Sequence, residues 1–256
     1  MSNYIENVIK SSPEVQELLD RDLNEDLLFW KNQLKHYTDT KDIKTIFDIG
    51  AYKGWWSFQM ARIFKNSNYF LFEPTFDNNI KFLEQNAEII KTNGGNCKII
   101  NGLIGKENKD IKFYESETEH GSGNSIYEEL STVKFNEVIK KMVRLDLLIT
   151  NYLSNIKPDL IKIDVQGAEL DVLKGLGNFI YDVKYIQLEV SYFRNNKNGC
   201  FADEVIEYLI LQGFYIIGVI NSNKDDSKMI IQQDYIFKNK KFMHRVNVNK
   251  LFYENN

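Results

Sequence analysis

The chain has 256 residues, of which 43% are hydrophobic and 27% charged, and a formal net charge of −4. That length and balance fit one large α/β domain with a buried core and exclude a disordered chain. The acidic charge argues against DNA or other general nucleic-acid binding, which needs a basic field to neutralise phosphates. The longest apolar run, residues 208–220, is broken by Gln212, Gly213 and Gly218 and is too short for a membrane span. The N-terminus lacks the basic region and apolar core of a signal peptide, and Cys97 and Cys200 have no metal-type spacing. We therefore expect a cytoplasmic protein.

Residues 13–37 place Val15, Leu18, Leu19, Leu23, Leu27, Trp30 and Leu34 at three- and four-residue steps, the pattern of an amphipathic helix. Residues 1–40 thus read as a helical extension, serving as a cap on the sheet or a homodimer contact, and residues 41–256 as the main domain. From residue 43 onward short apolar strands alternate with helical patterns, the signature of βαβ units. Strands are predicted at 44–48, 69–73, 97–101, 159–164, 184–190, 214–220 and 229–237. The last two are joined by a polar turn at 221–226 with no room for a crossover helix, so they must pair antiparallel. This gives an α/β sheet of seven strands, five parallel plus a terminal hairpin, with helices on both faces. Residues 112–129 are polar and rich in Gly and Ser; they read as a surface loop after a short strand at 111–114, able to act as a lid.

Four segments carry chemistry. In the first, residues 45–57, a buried strand ends in Asp48 and is followed by Gly50, Ala51 and Gly54 and then by a helix that begins with Trp55-Trp56. A dinucleotide fingerprint would seat a pyrophosphate at this turn, and Asp48 would repel it. S-adenosylmethionine, with an ammonium, a sulfonium and no phosphate, fits the turn better. The second segment ends at Glu73-Pro74, where a strand-final acid is placed to accept ribose hydroxyls. The third, residues 158–169, sets Lys162 and Asp164 on one face of a strand that should otherwise be apolar. Burial requires Lys162 to find an acidic partner. Glu169 reads most simply as an acid complementing a helix N-terminus. In the fourth, Glu189 nears the exit of the next strand, beside Asp164 if those strands are neighbours. Two such carboxylates suit a general base, or equally a divalent cation site, and the spacing leaves that choice undecided. His120, in the lid, is a further candidate base. Tyr192, Arg194 and Lys197 follow the fifth strand as acceptor contacts, with Trp55 a candidate pocket wall.

Together these segments resemble the FkbM family of S-adenosylmethionine-dependent methyltransferases. The family's marks are an Asp-x-Gly turn, a Glu-Pro, a Leu-Asp pair and a Lys-Ile-Asp-Val-x-Gly-Ala-Glu run. Here they stand as Asp48 to Gly54, Glu73-Pro74, Leu145-Asp146 and Lys162 to Glu169, over a resemblance spanning about residues 43–240. It implies a Rossmann-like class I methyltransferase sheet and O-methylation of a hydroxyl on a sugar, nucleotide-sugar or related small molecule, often in surface-polysaccharide or natural-product pathways. It also implies that Asp48, Gly50, Ala51, Gly54, Glu73 and Pro74 hold S-adenosylmethionine, with Asn101 and Leu103 at the adenine edge. Asp164 would face the methyl and the acceptor. Gln166 departs from the acid that relatives often carry, and Trp55-Trp56 is bulkier than the usual residues. The alternatives are an RNA 2′-O-methyltransferase, a catalytically silent module that keeps the cofactor site for assembly, and an NAD-dependent oxidoreductase, the last disfavoured by Asp48 and the terminal hairpin.

Overall fold

A computed structural model describes residues 40–117, 123–224 and 227–243. The predicted helix at 13–37, with the dimer contact assigned to it, and His120 in the lid lie outside the described residues. Two units divide the chain, Met1–Gly102 and Leu103–Asn256.

In the first unit the order is β1 (Thr45–Ile49), α1 (Trp55–Met60), β2 (Asn68–Glu73), α2 (Phe76–Thr92) and β3 (Asn96–Asn101). β1 pairs parallel with β2, and β2 parallel with β3. The runs TIFDI and NYFLFE are nearly continuous in apolar residues because such strands are covered on both faces. Ile46, Phe47, Leu71 and Phe72 are completely buried, as are Met60 of α1 and Leu83 and Ile90 of α2. Each such side chain contributes about 1.5–3 kcal/mol through apolar burial. The Phe47 ring packs tilted against Phe70 and Phe72, with centroids 5.1 and 5.3 Å away.

The second unit runs β4 (Leu103–Gly105), β5 (Lys109–Ser116), β6 (Phe135–Arg144), α3 (Leu145–Tyr152), β7 (Leu160–Ile163), α4 (Glu169–Gly175), β8 (Tyr185–Ser191), α5 (Ala202–Leu211), β9 (Phe214–Lys224) and β10 (Ile230–Asn239). β7 and β8 are parallel, β10 lies antiparallel to β8, and β9 antiparallel to β10. The terminal hairpin is thus formed, and its last strand is the inner one. The two units supply three and four of the seven predicted strands.

A second sheet, ordered β4-β6-β5, was not foreseen. β6 is masked in the sequence because both of its faces carry charges that pair across the ladder, Lys112 with Glu137 on one and Lys140 with Glu115 on the other. Of residues 112–129, read as a surface loop with few core residues after a short strand, two enter the core. Phe113 and Ile126 are buried with Leu103, Met142 and Ala168 in one cluster, and Ser125 pairs with Tyr114 through both backbone hydrogen bonds. α4 approaches β4 so closely that a Cβ on Gly175 would run into the Gly105 carbonyl. Among the described residues no helix is long and apolar enough to cross a membrane.

Candidate functional site

In the first unit the chain leaves β1 through a loop fixed at several points. Gly50 and Gly54 are left-handed, at φ 77° and 80°, and so is Tyr52 at φ 52°. The Gly50 and Ala51 amides both donate to the Phe72 carbonyl at 3.0 Å, and the Gly54 amide donates to the Ala51 carbonyl at 2.7 Å. Tyr52 carries a side chain in a region that disfavours one, and its amide is held at 2.6 Å by Glu73 Oε2. Glu73 Oε1 accepts from the Thr75 amide at 2.8 Å and from the Thr75 hydroxyl. Only 4% exposed, Glu73 therefore pins the turn to the end of β2.

Asp48 is fully buried. Its Oδ2 accepts the Ser57 hydroxyl at 2.7 Å, tying β1 to α1. Trp55, first in α1, is 60% exposed, and Lys53 Nζ lies 4.8 Å from both the Tyr52 and Phe82 ring centroids. Asn101 closes β3, exposed and in register with Glu73. Pro74 ends β2 as predicted.

In the second unit the registers Ile163 with Leu188 and Asp234 with Glu189 set Asp164, Glu189 and Asp234 in one row across β7, β8 and β10. Lys162 is buried, and its Nζ lies 3.4 Å from Asp164 Oδ2, which supplies the acidic partner that its burial requires. Gln166 donates its amide to Asp164 Oδ1 at 2.6 Å. The departure from an acid at that position thus puts a neutral donor on Asp164. Gln232 Nε2 donates to Glu189 Oε2 at 3.1 Å and to Ser191 Oγ at 3.3 Å. Burial, then the charges of Asp164, Asp234 and Glu169, push the Glu189 carboxyl from 4.5 up to about 8, against a smaller opposing pull from Lys162.

Glu169 does more than meet a helix dipole. Buried, it accepts from the Val165 and Gly167 amides at 3.2 and 3.1 Å through Oε1 and from the Cys200 thiol through Oε2, bracing the turn that carries Asp164. Burial raises its pKa. That turn needs left-handed Gln166 and Gly167, at φ 54° and 93°. Ser125 donates to the Gln166 carbonyl at 2.8 Å, a support from residues expected to form an open loop.

Other predicted residues fall elsewhere. Leu103 is buried in the β4–β5–β6 cluster. By strand alternation Tyr192 belongs to the face opposite Glu189. Its hydroxyl joins Tyr235 at 2.6 Å and Gln233 at 2.7 Å. Arg194 stacks 4.5 Å over the Phe201 ring. Lys197 reaches Glu128 at 3.8 Å. Asp146 of the Leu-Asp pair is held low by the Arg144 guanidinium and accepts from the Leu147 amide at 2.7 Å, closing the start of α3. Gln232 and Asp234 were missed. Their register across β10 was the only signal, and it passes through several irregularities in the β9–β10 ladder. Among the described residues no group of three or more His, Cys, Asp or Glu is arranged to hold a metal ion.

No curated protein matches the sequence. Among solved structures, precorrin-6y C5,15-methyltransferase from Geobacter metallireducens GS-15 aligns over 80% of this chain and 82% of that one, at 14% identity and a TM-score of 0.43. TrmK of M. capricolum, in complex with S-adenosyl-homocysteine, aligns over 88% and 74%, at 12% identity and a TM-score of 0.44. An O-methyltransferase family protein from Burkholderia thailandensis aligns over 86% and 59%, at 8% identity and a TM-score of 0.44. The methyltransferase FkbM domain matches residues 48–216, a span that takes in the Asp48 turn, Glu73-Pro74, Leu145-Asp146, the Lys162 to Glu169 run and Glu189. The chain belongs to the FkbM methyltransferase family, with S-adenosylmethionine as its methyl donor.

Proposed function

We propose that the protein is an O-methyltransferase acting on an uncharged hydroxyl of a sugar or related small molecule, with Glu189 as the base. The observation that carries this reading is the row Asp164, Glu189 and Asp234, in which one carboxyl is pushed up to about 8. A group poised there takes a proton near neutrality. The three acids disfavour an anionic group beside Glu189, whereas Ser191, Gln232 and Gln166 offer neutral hydrogen bonds that suit hydroxyls.

The first unit fits the methyl donor. Gly50 and Gly54 supply the left-handed backbone that the turn needs, and a Cβ on Gly54 would press within 3.3 Å of Leu71 Cδ2. Tyr52, Lys53 and Trp55 leave an aromatic and cationic rim. When bound, S-adenosylmethionine supplies a methyl carbon already activated by its sulfonium. The chain's own task is to align the acceptor oxygen with it and to hold the proton that leaves. As the new O–C bond forms and the C–S bond breaks, the hydroxyl proton passes to the Glu189 carboxylate. Asp164, fixed by Lys162 and Gln166, orients the acceptor.

The test is methyl transfer from labelled S-adenosylmethionine to a panel of sugars, nucleotide-sugars and RNA, with and without EDTA. Label should appear in a sugar hydroxyl. Transfer to RNA alone would overturn the reading.

A further inference from the structure

A cavity of about 310 Å³ in the second unit is lined by α4, the loop that precedes α5, Lys106 and Tyr127. Three cations border it, Lys106, Lys174 and Arg194, with two carboxylates, Asp171 and Glu204. The carboxylates are already engaged. Asp171 accepts the Tyr127 hydroxyl at 2.8 Å and lies 3.0 Å from Lys106 Nζ. Glu204 accepts from the Phe201 amide at 2.8 Å. Among the described residues Lys174 and Arg194 have no acidic partner; Arg194 is positioned instead by the Phe201 ring beneath its guanidinium, 4.5 Å from the centroid. A planar guanidinium held on an aromatic face keeps its N–H fork directed outward, the arrangement that binds phosphate through two hydrogen bonds. Lys174, exposed in the last turn of α4, adds a point charge.

The wall between these cations is small and firm. Gly167 and Gly199 face each other so closely that a Cβ on Gly167 would come within 3.3 Å of the Gly199 Cα. The Cys200 amide donates to the Gly167 carbonyl at 2.9 Å, joining the two segments. A side chain on either glycine would press these two segments apart. We propose that this cavity is a phosphate-binding site, taking a phosphomonoester or diphosphate between Arg194 and Lys174. It is chemically unlike the acid row, which repels such a group, and Gly167 lies only three residues beyond Asp164. The phosphate therefore has two sources: a free phosphorylated ligand, or the phosphate of an acceptor whose hydroxyl reaches Glu189. The second source rests on the function proposed above.

Calorimetry on the full chain at low salt separates these. Inorganic pyrophosphate should bind, weakening as salt rises. Arg194→Gln and Lys174→Gln should each weaken it about tenfold. Arg194→Lys should restore binding only in part. Lys157→Gln, at a lysine already paired with Asp182, should leave it unchanged, and S-adenosylmethionine should bind every variant alike. Absence of pyrophosphate binding, or equal loss in Lys157→Gln, would overturn the site even if methyl transfer is observed. UDP-glucose binding more tightly than pyrophosphate, and weakened by the same two substitutions, identifies the acceptor as the source. Equal or weaker binding identifies a free ligand, and either result keeps the site.

Discussion

The carboxylates of the two units are held in opposite ways. In the first, Asp48 and Glu73 are buried but surrounded by donors: the Ser57 hydroxyl, the Tyr52 and Thr75 amides and the Thr75 hydroxyl. In the second, Asp164, Glu189 and Asp234 stand in one row, and the donors that reach Asp164 and Glu189 include the side chains of Lys162, Gln166 and Gln232. Buried acids facing hydrogen-bond donors fix a loop, whereas partly buried acids facing one another keep a proton within reach. One arrangement braces a turn; the other gathers acids, the proposed base among them.

The sharpest break in that contrast is Glu189→Gln. It preserves shape and the contact with Gln232 while removing the proton acceptor. Methyl transfer should fall about 10²–10⁴-fold, the usual range for losing a general base, with S-adenosylmethionine affinity unchanged in calorimetry. An unaltered rate would move the base elsewhere in the row.

Glu73→Gln tests the other half. Glutamine offers one acceptor oxygen where two were engaged, and its amide would face the Tyr52 or Thr75 donors. A lost charged hydrogen bond of this kind costs about 1–3 kcal/mol. Tyr52 would also be freed from its left-handed conformation. Urea unfolding should shift to a lower midpoint, and S-adenosylmethionine should bind more weakly. Turnover with saturating donor should suffer less than in Glu189→Gln.

How much of this was legible in the sequence follows the same division. The turn proposed to hold the donor is local: Asp48 through Gly54 are consecutive, and Glu73 ends the neighbouring strand, so spacing alone placed them. The proposed base is non-local. Glu189 was visible as a strand-final acid, but Asp234 and Gln232 enter only through β10, whose register depends on pairing and on irregularities in its ladder with β9. β6 escaped for a related reason, since the charges on its two faces make sense only beside Glu115 and Lys112 of β5. Ser125 looked like loop until the turn at Gln166 gave its hydroxyl an acceptor.

pH separates the two halves without mutation. Glu189 holds its proton up to about pH 8 when folded and releases it near 4.5 when unfolded. The folded state therefore binds more protons between those values, and this group's contribution to stability falls as pH rises through that window. Activity moves the other way. The rate at low substrate should climb with pH toward a plateau above about 8, and Glu189→Gln should lose that limb. A flat profile between pH 6 and 9 would remove Glu189 from the base role.

The smallest expected effect concerns Gln166, and it tests whether the row behaves as one electrostatic unit. Its amide donates to Asp164 Oδ1 at 2.6 Å. Gln166→Glu would withdraw the donor and add a negative charge beside the row. Screened by solvent at this partly exposed turn, the added repulsion amounts to about 1 kcal/mol. The activity limb should therefore move to higher pH by less than about one unit. Gln166→Ala, which removes the donor without adding charge, should move it less. If Gln166→Glu and Gln166→Ala shift the limb equally, the hydrogen bond to Asp164 matters and the charge does not. In that case the coupling of Asp164 to Glu189 would rest on position alone.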